Sequence, residues 1–90
     1  MNDIIHKATA GTMESSDVYV EIEPAANGLS IELESVVKAQ FGPLILSTVK
    51  EVLEECGVKN AKVRIADRGA LDCVIRARVE TAVMRGKEAK

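Results

Sequence analysis

Ninety residues make one small domain, near the lower end of the usual size range. Apolar residues form 47% of the chain but aromatics only 2%, Tyr19 and Phe41, so any core must be built from Val, Ile, Leu and Ala. A charged fraction of 29% with a net charge of −2 argues against wholesale disorder, and no apolar run approaches the ~18 residues of a membrane span.

The N-terminus lacks the basic start and continuous apolar stretch of a secretory signal, so the expected location is the cytoplasm. Two cysteines, Cys56 and Cys73, are too few for a disulfide framework, and with His6 they fall short of a tetrahedral metal set. Both are expected to be reduced, core or semi-buried thiols, and no metal site is expected. The modest net charge hides an asymmetry. Residues 1–56 hold three basic and ten acidic side chains, whereas residues 57–90 hold nine basic and four acidic ones.

In chain order, residues 1–16 show no sustained period and are expected to form a loosely attached arm preceding one folded domain over residues 17–90. From Asp17 the pattern alternates strictly: Val18, Val20 and Ile22 on one side, Tyr19, Glu21 and Glu23 on the other. That is the period of a half-buried strand. Pro24 and the pair Asn27-Gly28 mark a turn, after which Leu29, Ile31 and Leu33 alternate with Ser30, Glu32 and Glu34. The two strands are expected to pair as a hairpin with an aliphatic inner face and an acidic outer one.

Gly42-Pro43 signals a helix start. Ile45, Val49, Val52, Leu53 and Cys56 then recur on one helical face, and Gly57 stands where a left-handed cap is expected. A third strand follows, with Ala61, Val63 and Ile65 alternating with Lys62 and Arg64, closed by Asp67-Arg68-Gly69. Leu71, Val74, Ile75, Val79, Ala82 and Val83 form a second helical stripe, with Asp72–Arg76 and Arg76–Glu80 spaced i, i+4. Residues 73–79 also alternate as a strand would, but the length of the stripe favours helix.

The order β-β-α-β-α is expected to fold as an α/β (α+β) two-layer sandwich, with both helices on one face of a three-stranded sheet. If the third strand lies beside the hairpin, Lys62 and Arg64 share the outer face with Glu21, Glu23, Glu32 and Glu34. Each opposite-sign cross-strand pair then contributes ~0.2–1 kcal/mol. Internal neutralisation is therefore preferred over a surface that binds polyanions. Two aromatics, neither interleaved with basic residues, offer bases almost nothing to stack on.

Stand-alone chemistry is scarcely provided for. A serine nucleophile needs a positioned base, and the one histidine, His6, lies in the expected arm. No G-x-S-x-G elbow, G-x-x-x-x-G-K-[ST] loop or G-x-G-x-x-G loop occurs. No catalytic residue is assigned, and the chain reads as part of a larger assembly. One stretch stands out: AGTMESSDV gathers Thr12, Glu14, Ser15, Ser16 and Asp17 ahead of the first strand. On composition alone it is a turn or strand entry.

That stretch, together with VKAQFG at residues 37–42 and RGALDCVIRARVETAV at residues 68–83, resembles the acyl carrier protein (gamma subunit) of citrate lyase. The resemblance covers nearly the whole chain, with three motifs in order. It implies a non-catalytic carrier. It also implies that Ser15, the first serine of the ESSD motif, bears a covalent 2′-(5″-phosphoribosyl)-3′-dephospho-coenzyme A through a phosphodiester. Ser16 is the other serine of the motif, at a position where relatives can carry glycine. The implied partners are the alpha subunit, an acyl transferase, and the beta subunit, a citryl lyase. A transferase installs the prosthetic group and a ligase acetylates it, with neither nucleic acid nor membrane involved.

Glu14 and Asp17 are expected to repel the anionic phosphodiester, so holding the arm outward, and to aid recognition by the transferase. Some relatives continue beyond the position of Lys90, and Arg68 stands where lysine is common. Two alternatives remain. One is the carrier subunit of a malonate decarboxylase-type complex. The other is a small RNA-binding or regulatory module using Arg64, Arg68, Arg76, Arg78, Arg85 and Lys87.

Overall fold

Alternation, capping and charge build a mixed four-stranded sheet with two helices on one face. The computed structural model describes residues 3–36 and 38–88. The elements are β1 (Ala8–Gly11), β2 (Val18–Pro24), β3 (Leu29–Ser35), α1 (Lys38–Glu55), β4 (Ala61–Asp67) and α2 (Asp72–Lys87). The sheet runs β1-β2-β4-β3, with β1/β2 and β2/β4 antiparallel and β3/β4 parallel. Parallel neighbours need a crossover, and α1 supplies it.

The α/β class and the two helices agree with the sequence pattern, but the strand count does not: four strands stand where three were expected. The additional one comes from the segment expected to be a loose arm. Its residues Ala8-Thr9-Ala10-Gly11 are too small to show an apolar stripe, yet they pair along β2 from Ala8↔Ile22 to Gly11↔Tyr19. Ile4 and Ala10 are buried in the core. The segment ahead of β1 is stitched down as well. Asp3 accepts hydrogen bonds from the Lys59 and Asn60 amides at 2.9 and 3.2 Å, and the Ile5 and His6 amides bond the Gly86 carbonyl. A side chain at position 86 would press on Ile4, with a Cβ only 3.0 Å from its Cγ2.

The expected hairpin between β2 and β3 does not form. β4 lies between them, and the hairpin is β1–β2. Electrostatics explains the insertion, because β4 brings Lys62 and Arg64 onto a face that would otherwise set two acidic strands side by side. Arg64 stands opposite Glu21 in one register and Glu32 in the other, at 3.6 and 3.4 Å from their carboxylates. Lys62 is opposite Glu23. The expected neutralisation of the outer face is present, with the basic strand at its centre.

Beneath the sheet, Val18, Val20 and Ile22 of β2 and Ala61, Val63 and Ile65 of β4 meet Val49, Val52 and Leu53 of α1 and Ile75, Val79, Ala82 and Val83 of α2. Edge strand β3 is less covered, and Leu29 is exposed. Helix α1 begins at Lys38, about a turn ahead of the expected Gly42-Pro43 start. Pro43 thus lies inside the helix, where its missing N–H forfeits one backbone bond near the start and stops nothing. The exit is as expected: Gly57 has φ 74°, its amide bonds the Glu54 carbonyl at 3.0 Å, and the Val58 amide bonds the Leu53 carbonyl at 2.9 Å. These are the paired bonds of a Schellman cap. Residues 73–79 are helical. Arg76 pairs with Asp72 at 3.4 Å along α2 and with Glu51 across to α1.

Candidate functional site

The β1–β2 hairpin ends in the loop Thr12–Asp17, so the singled-out stretch is the tip of that hairpin. Gly11, at φ 87°, opens the loop, and a Cβ there would collide with the Val18 carbonyl oxygen. Only glycine lets the two strands approach so closely at the neck. The Asp17 amide bonds the Glu14 carbonyl at 3.1 Å, closing a four-residue turn. Ser15 takes its first central position and Ser16 its second, with φ 67°. A positive φ at the second central position is the mark of a type II turn, where glycine is the usual occupant. Both serines are exposed, and the Ser15 side chain makes no hydrogen bond to another described residue.

Asp17 organises the loop. Its Oδ2 accepts from the Thr12 hydroxyl at 2.7 Å, and its Oδ1 accepts from the Val18 amide at 2.7 Å. Arg78, on α2, grips the same carboxylate through Nε to Oδ1 at 3.1 Å and Nη2 to Oδ2 at 3.2 Å. Thr12 Oγ1 in turn accepts from the Glu14 amide at 3.2 Å. The Thr12 hydroxyl, the Val18 amide and the Arg78 guanidinium together hold the Asp17 carboxyl down at about 2, below its ordinary 3.8. A second anchor comes from the β4–α2 connection: the Ser16 amide donates to the Arg68 carbonyl at 2.7 Å, and the Arg68 amide to that of Asp17 at 2.9 Å.

This geometry revises the role expected for the flanking acids. Asp17 is not a free negative charge; its carboxylate is spent on the loop itself and matched by Arg78. Glu14 is exposed at the turn. The sequence reading missed Thr12, Arg78 and the Arg68 peptide as partners of the loop, since nothing in local periodicity links positions 61 residues apart.

Parts of the three stretches that carry the resemblance lie side by side: Ser16 and Asp17 bond Arg68, and Phe41 stands across a groove from Gly69, Ala70 and Leu71. Residues 68–71 connect the hairpin loop to an apolar groove of about 280 Å³ whose walls include Phe41, Leu44, Gly69, Ala70 and Leu71. Phe41, Leu44 and Leu71 are exposed there. Asp67, fully buried below them, is satisfied by the Ser35 hydroxyl at 2.7 Å and the Ala70 amide at 2.9 Å.

The other candidates have structural places. His6 places Nδ1 3.0 Å from the Lys7 carbonyl and Nε2 2.9 Å from the Glu88 carbonyl, so a ring N–H donates to a backbone carbonyl in either tautomer. Cys56 is half-buried, and burial followed by the charge of Glu80 pushes its thiol up; Cys73 is exposed rather than semi-buried. No group of three or more His, Cys, Asp or Glu suited to a metal ion occurs among the described residues. Arg64, Arg68, Arg76 and Arg78 each face a carboxylate, while Arg85 and Lys87 bond backbone carbonyls. Each of the six basic residues weighed for an RNA surface thus has a partner within the fold. No described helix is long and apolar enough to cross a membrane.

A family model described as "Malonate decarboxylase delta subunit (MdcD)" matches residues 5–86. The citrate lyase acyl carrier protein of Klebsiella pneumoniae is 52% identical over 90% of this chain and 84% of its own length. That of Lactococcus lactis subsp. lactis is 52% identical over 98% of this chain and 92% of its own. Among solved structures, a chain of the Pseudomonas malonate decarboxylase hetero-tetramer in complex with malonate superposes with a TM-score of 0.79. It has 24% identity and covers 90% of this chain and 84% of that one, a likeness of fold.

Proposed function

The chain belongs to the citrate lyase acyl carrier protein family, and on that premise we propose that it is the non-catalytic carrier subunit of a citrate lyase, with Ser15 as its attachment point. The observation that carries the assignment to Ser15 is its place at the apex of a braced hairpin turn, exposed and with its side chain unengaged. A hydroxyl so held can enter the pocket of a modifying enzyme without unfolding the sheet below it. Ser16 has an equally exposed side chain, but its backbone carries the positive φ of the turn and is tied through its amide to Arg68, and the resemblance of the ESSD motif favours Ser15.

The surroundings fit the phosphodiester of a phosphoribosyl-dephospho-coenzyme A. On attachment Ser15 Oγ would lose its proton and displace the leaving group of an activated phosphoryl donor, so becoming the bridging oxygen, while Asp17 across the turn is already matched by Arg78. When attached, that group supplies a terminal thiol on which an acyl unit is held as a thioester. The chain's own part is to present the anchor on a rigid base, keeping the tethered thiol at high local concentration for successive active sites. Those sites belong, in this reading, to the alpha acyl transferase and beta citryl lyase subunits. A dedicated transferase and an acetylating ligase prepare the carrier, all in the cytoplasm. A malonate decarboxylase-type carrier is the second reading, favoured by the family model's description; the near-half-identical relatives weigh toward citrate lyase.

Intact-mass analysis of the protein isolated from its native host grown on citrate, with peptide mapping across Met13 to Val18, tests the proposal. The expected result is a single adduct of the prosthetic-group mass on Ser15, absent from Ser15→Ala. Unmodified Ser15 in a lyase assembly that still turns over would end it.

A further inference from the structure

We propose that Arg78 and Thr12 are positioning residues for the modification of Ser15, acting through Asp17 as a clasp that fixes the attachment turn before the modifying enzyme arrives. The inference rests on the reading of Ser15 given above. It starts from the shape of the loop. Six residues separate β1 from β2, long enough to sample many conformations, and ordering them during an encounter would subtract from binding.

The structure has done that ordering in advance, and with side chains that have no other evident task. Arg78 donates two parallel bonds to one carboxylate, the geometry in which a guanidinium gives direction as well as attraction. Thr12 receives the Glu14 amide on the same hydroxyl oxygen that donates to Asp17, so the first and last residues of the loop are tied to each other. The Arg78 side chain crosses the hairpin neck directly over Gly11, where an added Cβ would come within 3.3 Å of its Cδ. The missing side chain at Gly11 therefore also gives Arg78 its path to Asp17. The clasp ties down the two ends of the loop and leaves the side chains of Glu14, Ser15 and Ser16 exposed at its tip, with Ser15 at the first central position of the turn.

Catalysis at a misplaced hydroxyl is slow, since a displacement of about 1 Å is worth up to ~100-fold in rate. Loosening the clasp should therefore lower the rate of modification without touching the hydroxyl or the core. The experiment uses the full unmodified chain with a purified citrate lyase prosthetic-group transferase and its triphosphorylated donor, following adduct formation by mass spectrometry. Arg78→Gln and Thr12→Val are each expected to lower kcat/KM for the carrier about tenfold, with Arg78→Lys recovering part of the loss. Hydrogen exchange supplies a readout independent of the transferase. The Ser16 and Asp17 amides should exchange about tenfold faster in Arg78→Gln, while those of α1 and β4 keep wild-type protection.

Wild-type rates of modification in both Arg78→Gln and Thr12→Val would overturn the inference. So would a loss of rate accompanied by faster exchange throughout the chain, which would make the clasp a matter of global stability. Modification of Ser15→Ala would instead remove the attachment assignment itself, a failure visible in a different variant.

Discussion

Asp17 shows how one side chain sets the character of a surface loop. Its carboxylate collects a hydroxyl, a backbone amide and a guanidinium, and its proton affinity falls accordingly. A group whose folded pKa lies below the unfolded one stabilises the structure above the unfolded value and loses that contribution as pH falls through the folded one. The turn should therefore persist at pH 4 and open only as pH approaches about 2. A carbon-detected NMR titration of the Asp17 carboxyl is the direct check, and a midpoint near 4 in the wild type would contradict the bonding described. In Arg78→Gln the midpoint should move upward, toward the ordinary carboxylate range. Ser16 makes a complementary point: its φ of 67° lies in the left-handed region that glycine adopts without cost, so a glycine there would suit the turn.

Among elements, β4 bears the most. It is the only strand with two neighbours that both carry glutamates on the outer face, and its Arg64 bridges them. Replacing Arg64 by Glu removes two exposed ion pairs and sets three acids in a row across β2, β4 and β3. The expected loss is about 1–2 kcal/mol in urea denaturation, shrinking as salt is raised. A loss that salt leaves unchanged would mean that packing, not charge, seats the strand. The alternation of β2, β3 and β4, the stripe of α2 and the Gly57 cap were all legible in the sequence, because each is a local pattern. β1 was not, because Ala, Thr and Gly give no apolar contrast, and only the partner strand identifies it. The start of α1 was misplaced for a related reason: proline signals a helix start from its own geometry, which says nothing of the turn before it.

At the scale of the whole molecule the core is a single aliphatic layer, and each contact in it is a large part of a small total. Leu53 is fully buried between α1 and the sheet. Its replacement by Ala should cost about 2–5 kcal/mol, out of the roughly 5–15 kcal/mol that small domains possess. Thermal denaturation would register this as a large fall in Tm, and a shift of only a degree or two would argue that the helix layer is loosely packed. Strand order was the least legible feature. The sequence places β2 and β3 as neighbours with an Asn-Gly turn between them, and nothing local announces that a strand 26 residues beyond β3 will part them. The charge asymmetry of the two halves carried that information, but as a sum rather than a position. The motif singled out the Thr12–Asp17 loop in the sequence; the support of that loop was not legible, because Arg78 is far along the chain.

That separation bears on when the carrier becomes usable. Thr12 and Asp17 leave the ribosome early, Arg78 near the end, and the Arg68 peptide between them. A nascent chain lacking its last helix has the Thr12–Asp17 loop but not the guanidinium that braces it, so on the reading proposed for Ser15 the loop takes its final form only once the last helix has folded.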